Sequence, residues 1–169
     1  MNQQEFAGLL DRFAGAVAAH DTPAFVALFA EDGVYDDHFF GPHAGREAIG
    51  RMLDRFFIGG ERFCWQFVEP ACGGDIGYSR YCFSYLSREP ESAGGLVVFE
   101  GMARFRLRGG LIGHYTEVFD RGIAFTQLGY AAARKLKLID RYTRAFTDGP
   151  LVRAHLDHRS ARTPSAPAP

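Results

Sequence analysis

Asp36, Asp37 and His38 sit at the centre of a short strand-like run, residues 34–40, an unusual content for a strand. Farther along, Glu117 falls between Tyr115 and Phe119 at alternate positions, and Arg80 falls between Tyr78 and Cys82 in the same way. Alternate residues of a strand share one face. Tyr35, Asp37 and Phe39 therefore point together, as do Tyr115, Glu117 and Phe119, and as do Tyr78, Arg80 and Cys82. Two carboxylates and a guanidinium among aromatic side chains form a set whose ionisation can be split, because burial raises an acid and a nearby cation lowers it. Such a set suits general acid–base work on an uncharged, ring-shaped molecule held in an apolar pocket.

Each of these residues also has a plain structural role open to it. Glu117 is either a proton carrier or half of a buried Glu–Arg pair that closes a sheet. Asp37 is either chemical or a turn cap, and Asp36, on the opposite face, reads as solvated or paired. Cys82 reads either as part of the site or as core filler, while Tyr35 and Tyr115 line a pocket, since a buried phenol usually just satisfies a hydrogen bond. Cys64, Cys72 and Cys82 are odd in number and lack C-x-x-C spacing, so they read as small buried hydrophobes rather than a disulfide or zinc framework. His38 and His43 lie near the acids but form no ligand spacing, so no metal is expected. Neither a G-x-G-x-x-G nor a Walker pattern occurs, and no cofactor is expected.

The elements that must position these groups follow from periodicity. Phe6, Leu9, Leu10, Phe13 and Val17 mark one stripe of a first helix. Asp21-Thr22-Pro23 opens a short second helix through an N-cap followed by proline. A third helix follows Gly45 and carries Ile49, Met52, Leu53, Phe56 and Phe57. From Gly59 the period changes to two, and 63–69, 77–86, 95–107 and 111–119 read as strands separated by glycine-rich turns. A last helix runs from near Ile123 towards Phe146. Residues 1–148 are thus expected to form a single α+β domain, with a curved antiparallel sheet, helices on its concave face and a further helix at the C-terminal side. Residues 149–169 read as a polar tail too poor in apolar groups to fold.

Composition bounds the rest. The chain has 169 residues, 47% hydrophobic and 23% charged, which suffices for a core and excludes a disordered or fibrous chain. A net charge of -1 gives no basic field for nucleic acid. No apolar run approaches the roughly 20 residues that cross a bilayer, and the opening Met1-Asn2-Gln3-Gln4-Glu5 has no targeting character, so a cytoplasmic location is expected.

The stretch Leu28-Phe29-Ala30-Glu31-Asp32-Gly33-Val34-Tyr35-Asp36-Asp37, followed by Gly45-Arg46-Glu47-Ala48-Ile49, resembles the nuclear transport factor 2-like cone. That superfamily includes SnoaL-like polyketide cyclases, ketosteroid isomerases and limonene-epoxide hydrolases. Phe99-Glu100-Gly101, Gly110-Leu111-Ile112, Tyr115-Thr116-Glu117-Val118-Phe119-Asp120 and Gln127-Leu128-Gly129 follow the cyclase and hydrolase pattern in order. The resemblance implies a cone enclosing a pocket, and isomerase-, cyclase- or hydrolase-like chemistry on a small hydrophobic ligand. The alternative on the same fold is a non-catalytic ligand-binding or dimerisation module. It places Asp37 where the isomerases hold their base, with Phe13 and Gly101 where their oxyanion donors stand. Against the hydrolases, Tyr35 and Asp37 match the water-holding pair, Arg80 the bridging arginine, Cys82 the epoxide-protonating acid and Glu117 the activating aspartate. Against the cyclases, Glu117 stands at the catalytic aspartate and Ala103 at its histidine partner. Phe99, Phe119, Tyr115 and Phe13 would line the pocket.

A homodimer is also expected. Cones of this superfamily bury one sheet face in a two-fold pair, the commonest oligomer in general. Phe63, Trp65 and Phe67 read as one aromatic face and Tyr81, Phe83 and Tyr85 as another, more than a few helices can cover.

Overall fold

Strands rich in aromatic and β-branched residues follow one another through short turns from Gly60 onward, and they assemble into one sheet. The computed structural model describes residues 1–162. The elements run α1 (Gln3–Ala18), α2 (Thr22–Ala27), β1 (Phe29–Asp37), β2 (Gly41–Ala44), α3 (Arg46–Gly59), β3 (Gly60–Gly73), β4 (Ile76–Ser87), β5 (Leu96–Arg108), β6 (Leu111–Phe119), α4 (Arg121–Gln127), α5 (Ala132–Thr147) and α6 (Pro150–Arg162). The six strands are ordered β2-β1-β6-β5-β4-β3. β1 runs parallel to β6, and every other pair is antiparallel.

Local chemistry starts and stops these elements as the sequence suggests. Asn2 and Glu5 form a capping box on α1, and the Asp21 side chain accepts the Ala24 N–H at the start of α2. The sheet is bent by bulges. β3 slips register between Glu61 and Cys64 and again between Val68 and Ala71, next to Arg62 and Glu69, whose φ angles are 55° and 52°. An extra residue in one strand increases local twist and curls the strand. The concave face so made receives α1 through Phe6, Leu9, Leu10, Phe13 and Val17, all buried.

Residues Met1–Gly129 form one compact unit and the chain from Tyr130 a second. The first is an α+β cone. The second holds α5 and α6, with no buried residue in either helix.

Several boundaries differ from the sequence reading. The expected single last helix is two, because Gly129 adopts φ +71° and a Cβ there would stand 2.7 Å from the Glu91 carbonyl oxygen. Leu136, Ile139 and Phe146, on the second of these helices, are exposed. Residues 150–162 form α6 where an unfolded tail was expected, and the remainder of that tail lies outside the described residues. Gly41-Pro42, a glycine–proline pair of the kind that breaks a strand, instead opens β2. Cys64 and Cys82 are exposed, not core filler.

The aromatic count on the sheet also resolves differently. Trp65 pairs with Phe83 and Phe67 with Tyr81 across β3 and β4, so the two supposed faces are one. Trp65 lies 4.7 Å from Phe83 and 5.3 Å from Tyr81, ring centre to ring centre. The argument for a dimer from two aromatic faces therefore falls, because the helices cover the single face that carries them.

Candidate functional site

The inward residues of β6 are Tyr115, Glu117 and Phe119, in the phase the alternation predicts. Glu117 is only 6% exposed, a rare position for a carboxylate. Its Oε2 accepts hydrogen bonds from the hydroxyls of Tyr81 and Tyr115, each at 2.7 Å. Tyr115 is fully buried beneath it, its ring stacked on Tyr35 at 4.5 Å.

β1 supplies the second acid. Asp37 ends the strand, and its Oδ1 accepts the backbone N–H groups of Phe39 and Phe40 at 2.7 Å each. This Asx turn is a structural cap of the kind short acidic side chains form readily. It also throws Phe39 inward, where it packs edge-on to Phe119 at 4.8 Å. Asp37 is thus both a turn cap and a cavity residue.

Asp37 and Glu117 open onto the same cavity, walled by aromatic side chains that include Tyr35, Trp65, Phe99 and Phe119. Its volume is about 30 Å³, space for one or two water molecules. Burial, with the Asp37 charge behind it, raises the Glu117 pKa from 4.5 to about 7, against the lowering pull of the two phenols. Burial raises Asp37 too, offset by its two backbone donors and by His43. Burial pushes all three tyrosines above their usual range, so they are donors and not bases. His38, at the rim against Phe119, is lowered to about 4 by burial and by Arg121, and is therefore neutral at pH 7.

Arg80 and Cys82 do not belong to this site. They do share a face of β4, but it is the outer one: Arg80 is exposed and bonded to Glu100 at 2.5 Å, and Cys82 is exposed. The inward set of β4 is Ser79, Tyr81 and Phe83, all buried. A one-residue change of phase moves every side chain of a strand to the other face. Phe13 is buried in the core, 5.4 Å from Tyr115, and lies behind the cavity wall rather than on it. Tyr115 likewise reaches the site through its hydroxyl alone.

The sequence reading missed Tyr81 and Trp65 as site residues. The signal was present in the Tyr81, Phe83, Tyr85 alternation, which outweighs the Tyr78, Arg80, Cys82 face in apolar content. Gly101 completes the local design, because a Cβ there would stand 2.6 Å from the Tyr81 hydroxyl oxygen. Only glycine at this inward position of β5 lets the Tyr81 phenol lie across the strand and reach Glu117. Among the described residues no group of three or more His, Cys, Asp or Glu gathers to hold a metal, and no helix is long and apolar enough to cross a membrane.

A bent sheet closed by helices is the fold this chain shares with proteins of ketosteroid isomerase-like and NTF2-like fold. The chain belongs to the SnoaL-like domain family, whose pattern it matches over residues 10–115. Three solved structures show the same fold. One is a protein of ketosteroid isomerase-like fold from Catenulispora acidiphila DSM 44928, solved in complex with trimethylamine; it is 22% identical over 74% of this chain and 95% of its own, with a TM-score of 0.67. A Xanthomonas campestris pv. campestris protein assigned as a polyketide cyclase is 23% identical over 76% and 99% of the two chains, with a TM-score of 0.64. An epoxide hydrolase of the limonene-epoxide hydrolase-like kind from M. tuberculosis is 18% identical over 74% and 90%, with a TM-score of 0.62. No curated protein matches the chain closely enough to lend it an activity.

Proposed function

We propose that the protein is an enzyme that moves protons on a small hydrophobic, oxygen-bearing molecule, using Asp37 as proton acceptor and Glu117 as proton donor. The observation that carries this reading is Glu117 itself: a buried carboxyl on a cavity wall, held by two phenols, whose pKa of about 7 leaves it half-protonated at neutral pH. Two acids of unlike surroundings in one cavity divide the roles of acid and base between them. Two backbone N–H donors favour the charged form of Asp37 against its burial, and deeper burial favours the protonated form of Glu117. The C–H bond on the carbon beside a substrate carbonyl breaks with its proton going to Asp37, its electron pair becomes the C=C bond of an enol, and the carbonyl π pair moves to the oxygen, which takes the Glu117 proton.

Isomerisation and cyclisation fit this arrangement better than epoxide hydrolysis. Arg80 and Cys82, at the positions where the hydrolase resemblance puts its arginine and its acid, lie on the outer face of the sheet, and Cys82 is a thiol. Turnover of a panel of cyclic enones, lactones and epoxides tests the reading. Asp37→Asn and Glu117→Gln should each lower turnover by roughly 100-fold or more, the size of a lost general acid or base. Full activity in both variants would remove the acids from the chemistry.

The cavity's small volume favours one second reading, a non-catalytic module that binds a compact ligand. Tight binding of a panel member without turnover, unchanged in Glu117→Gln, would support it.

A further inference from the structure

Resting on the proton-transfer reading above, we propose that Tyr81 and Tyr115 are positioning residues that hold the Glu117 proton on Oε1 and take up the charge that appears on Oε2 as this proton is delivered. Both phenols donate to one oxygen, Oε2, each at 2.7 Å. A protonated carboxyl has one carbonyl oxygen with two acceptor sites and one hydroxyl. Two donated bonds fill both sites of Oε2 and make it the carbonyl oxygen, which leaves the acid proton to Oε1. Burial raises both phenols above the ordinary tyrosine range, so they stay donors at neutral pH.

The proton transfer balances around this carboxyl. As the Oε1–H bond breaks, the proton goes to the substrate oxygen, and the bonding pair stays on the carboxyl, shared by its two oxygens. Half of the new charge stands on Oε2, between two hydroxyls already in place. Neutral hydrogen bonds there become charge-assisted ones, about twice as strong. Donors aimed beforehand at developing charge need no reorganisation at the moment of reaction. The same bonds offset the burial that holds the proton on Glu117, and a catalytic acid works best when its acidity matches the working pH.

Three strands converge to fix the pair. Tyr81 stands on β4, two strands from Glu117, and its phenol passes β5 at Gly101, where a Cβ would collide with it. Tyr115 precedes Glu117 by two residues on β6, stacked on Tyr35 at 4.5 Å and edge-on to Phe105 at 5.1 Å. Both are buried, and neither is a wall of the cavity, so they act through Glu117 and not on a ligand. Among the described residues, the other ionisable groups about the site are Asp37 and Tyr35 of β1, His38 beyond it, His43 of β2 and Arg121 of α4, which bonds the His38 carbonyl. The cavity residues of α2, α3, β3 and β5 carry no charge. All of these are unaltered when a phenol becomes phenylalanine, so a change in the Glu117 titration reports the lost hydroxyl.

The test follows the Glu117 carboxyl carbon of the ¹³C-labelled full chain with pH in wild type, Tyr81→Phe and Tyr115→Phe, together with the hydroxyl protons of both tyrosines in wild type. Each variant should raise the carboxyl midpoint by about one pH unit, a tenfold loss of acidity, the worth of a hydrogen bond to a charged group over a neutral one. Phenols that only fill the core would leave the midpoint unmoved. In wild type both hydroxyl protons should move downfield as Glu117 ionises, a readout that needs no variant to fold. An unchanged or lowered midpoint in either variant, or hydroxyl protons that stay still while the carboxyl titrates, overturns the inference; with a wild-type midpoint near 7 the proton-transfer reading still stands. A wild-type midpoint near 4.5 overturns both.

Discussion

Glu117→Gln should change the pH dependence of folding stability, in a direction and by an amount the site geometry sets. The carboxyl has a pKa of about 7 in the folded chain against 4.5 for the free group. Its folded value is raised, so the unfolded chain releases this proton first, and ionisation favours unfolding as pH rises from 4.5 to 7. Above 7 the loss is constant. Integrating the two titrations between about pH 5 and about pH 8.5 gives a loss of about 2.5 kcal/mol from this group alone. Glutamine keeps the shape and still accepts from Tyr81 and Tyr115, but it cannot ionise. Its amide N–H₂ is left in an apolar cavity, a cost of about 1–3 kcal/mol that does not vary with pH. The variant should therefore be the less stable protein at pH 5 and should recover about 2.5 kcal/mol relative to wild type by pH 8.5. Urea denaturation at a series of pH values measures the difference, and groups common to both proteins cancel. Parallel stability curves, with a gap that changes by less than about 0.5 kcal/mol, would refute the reasoning.

Other expectations are quicker to check. Arg80→Ala and Cys82→Ala should leave ligand binding and turnover within about twofold of wild type, since both side chains lie on the outer face; a tenfold loss in either would return them to the site. Gly101→Ala should destabilise the fold by about 1–3 kcal/mol, the usual cost of overpacking, and should displace the Tyr81 phenol from Glu117, as thermal melting and the tyrosine hydroxyl resonances would show. An unchanged melting temperature would mean the strand yields at no cost.

The cone and part of its site were legible in the sequence because they rest on strong local signals. Period-two alternation in β6 placed Tyr115, Glu117 and Phe119 inward, and the same rule placed Tyr35 and Asp37. Helix stripes marked Phe6, Leu9, Phe13 and Val17 as core. The phase of β4 was harder, because tyrosines occur on both faces and an arginine beside a cysteine invites a chemical reading. The inward triplet Tyr81, Phe83, Tyr85 decides it once the register with Trp65 and Phe67 is known. That register depends on bulges at Arg62 and Glu69, which no alternation in the sequence announces. The split of the last helix was missed because Phe125, Leu128, Ala132 and Leu136 keep helical spacing across Gly129, although the glycine breaks the backbone. Trp65 was visible as an aromatic, but that its buried indole N–H meets no acceptor follows only from the folded packing.

The central claim, that Glu117 is a proton carrier at neutral pH, is tested most directly by its own titration. With ¹³C-labelled glutamate carboxyls, the Glu117 resonance is assigned as the one missing in Glu117→Gln and followed from acid to alkaline pH. The expected midpoint is near 7, well above the 4.5 of a free glutamate carboxyl. A midpoint near the ordinary 4.5 would show a carboxylate ionised throughout the neutral range, and would contradict its role as the acid.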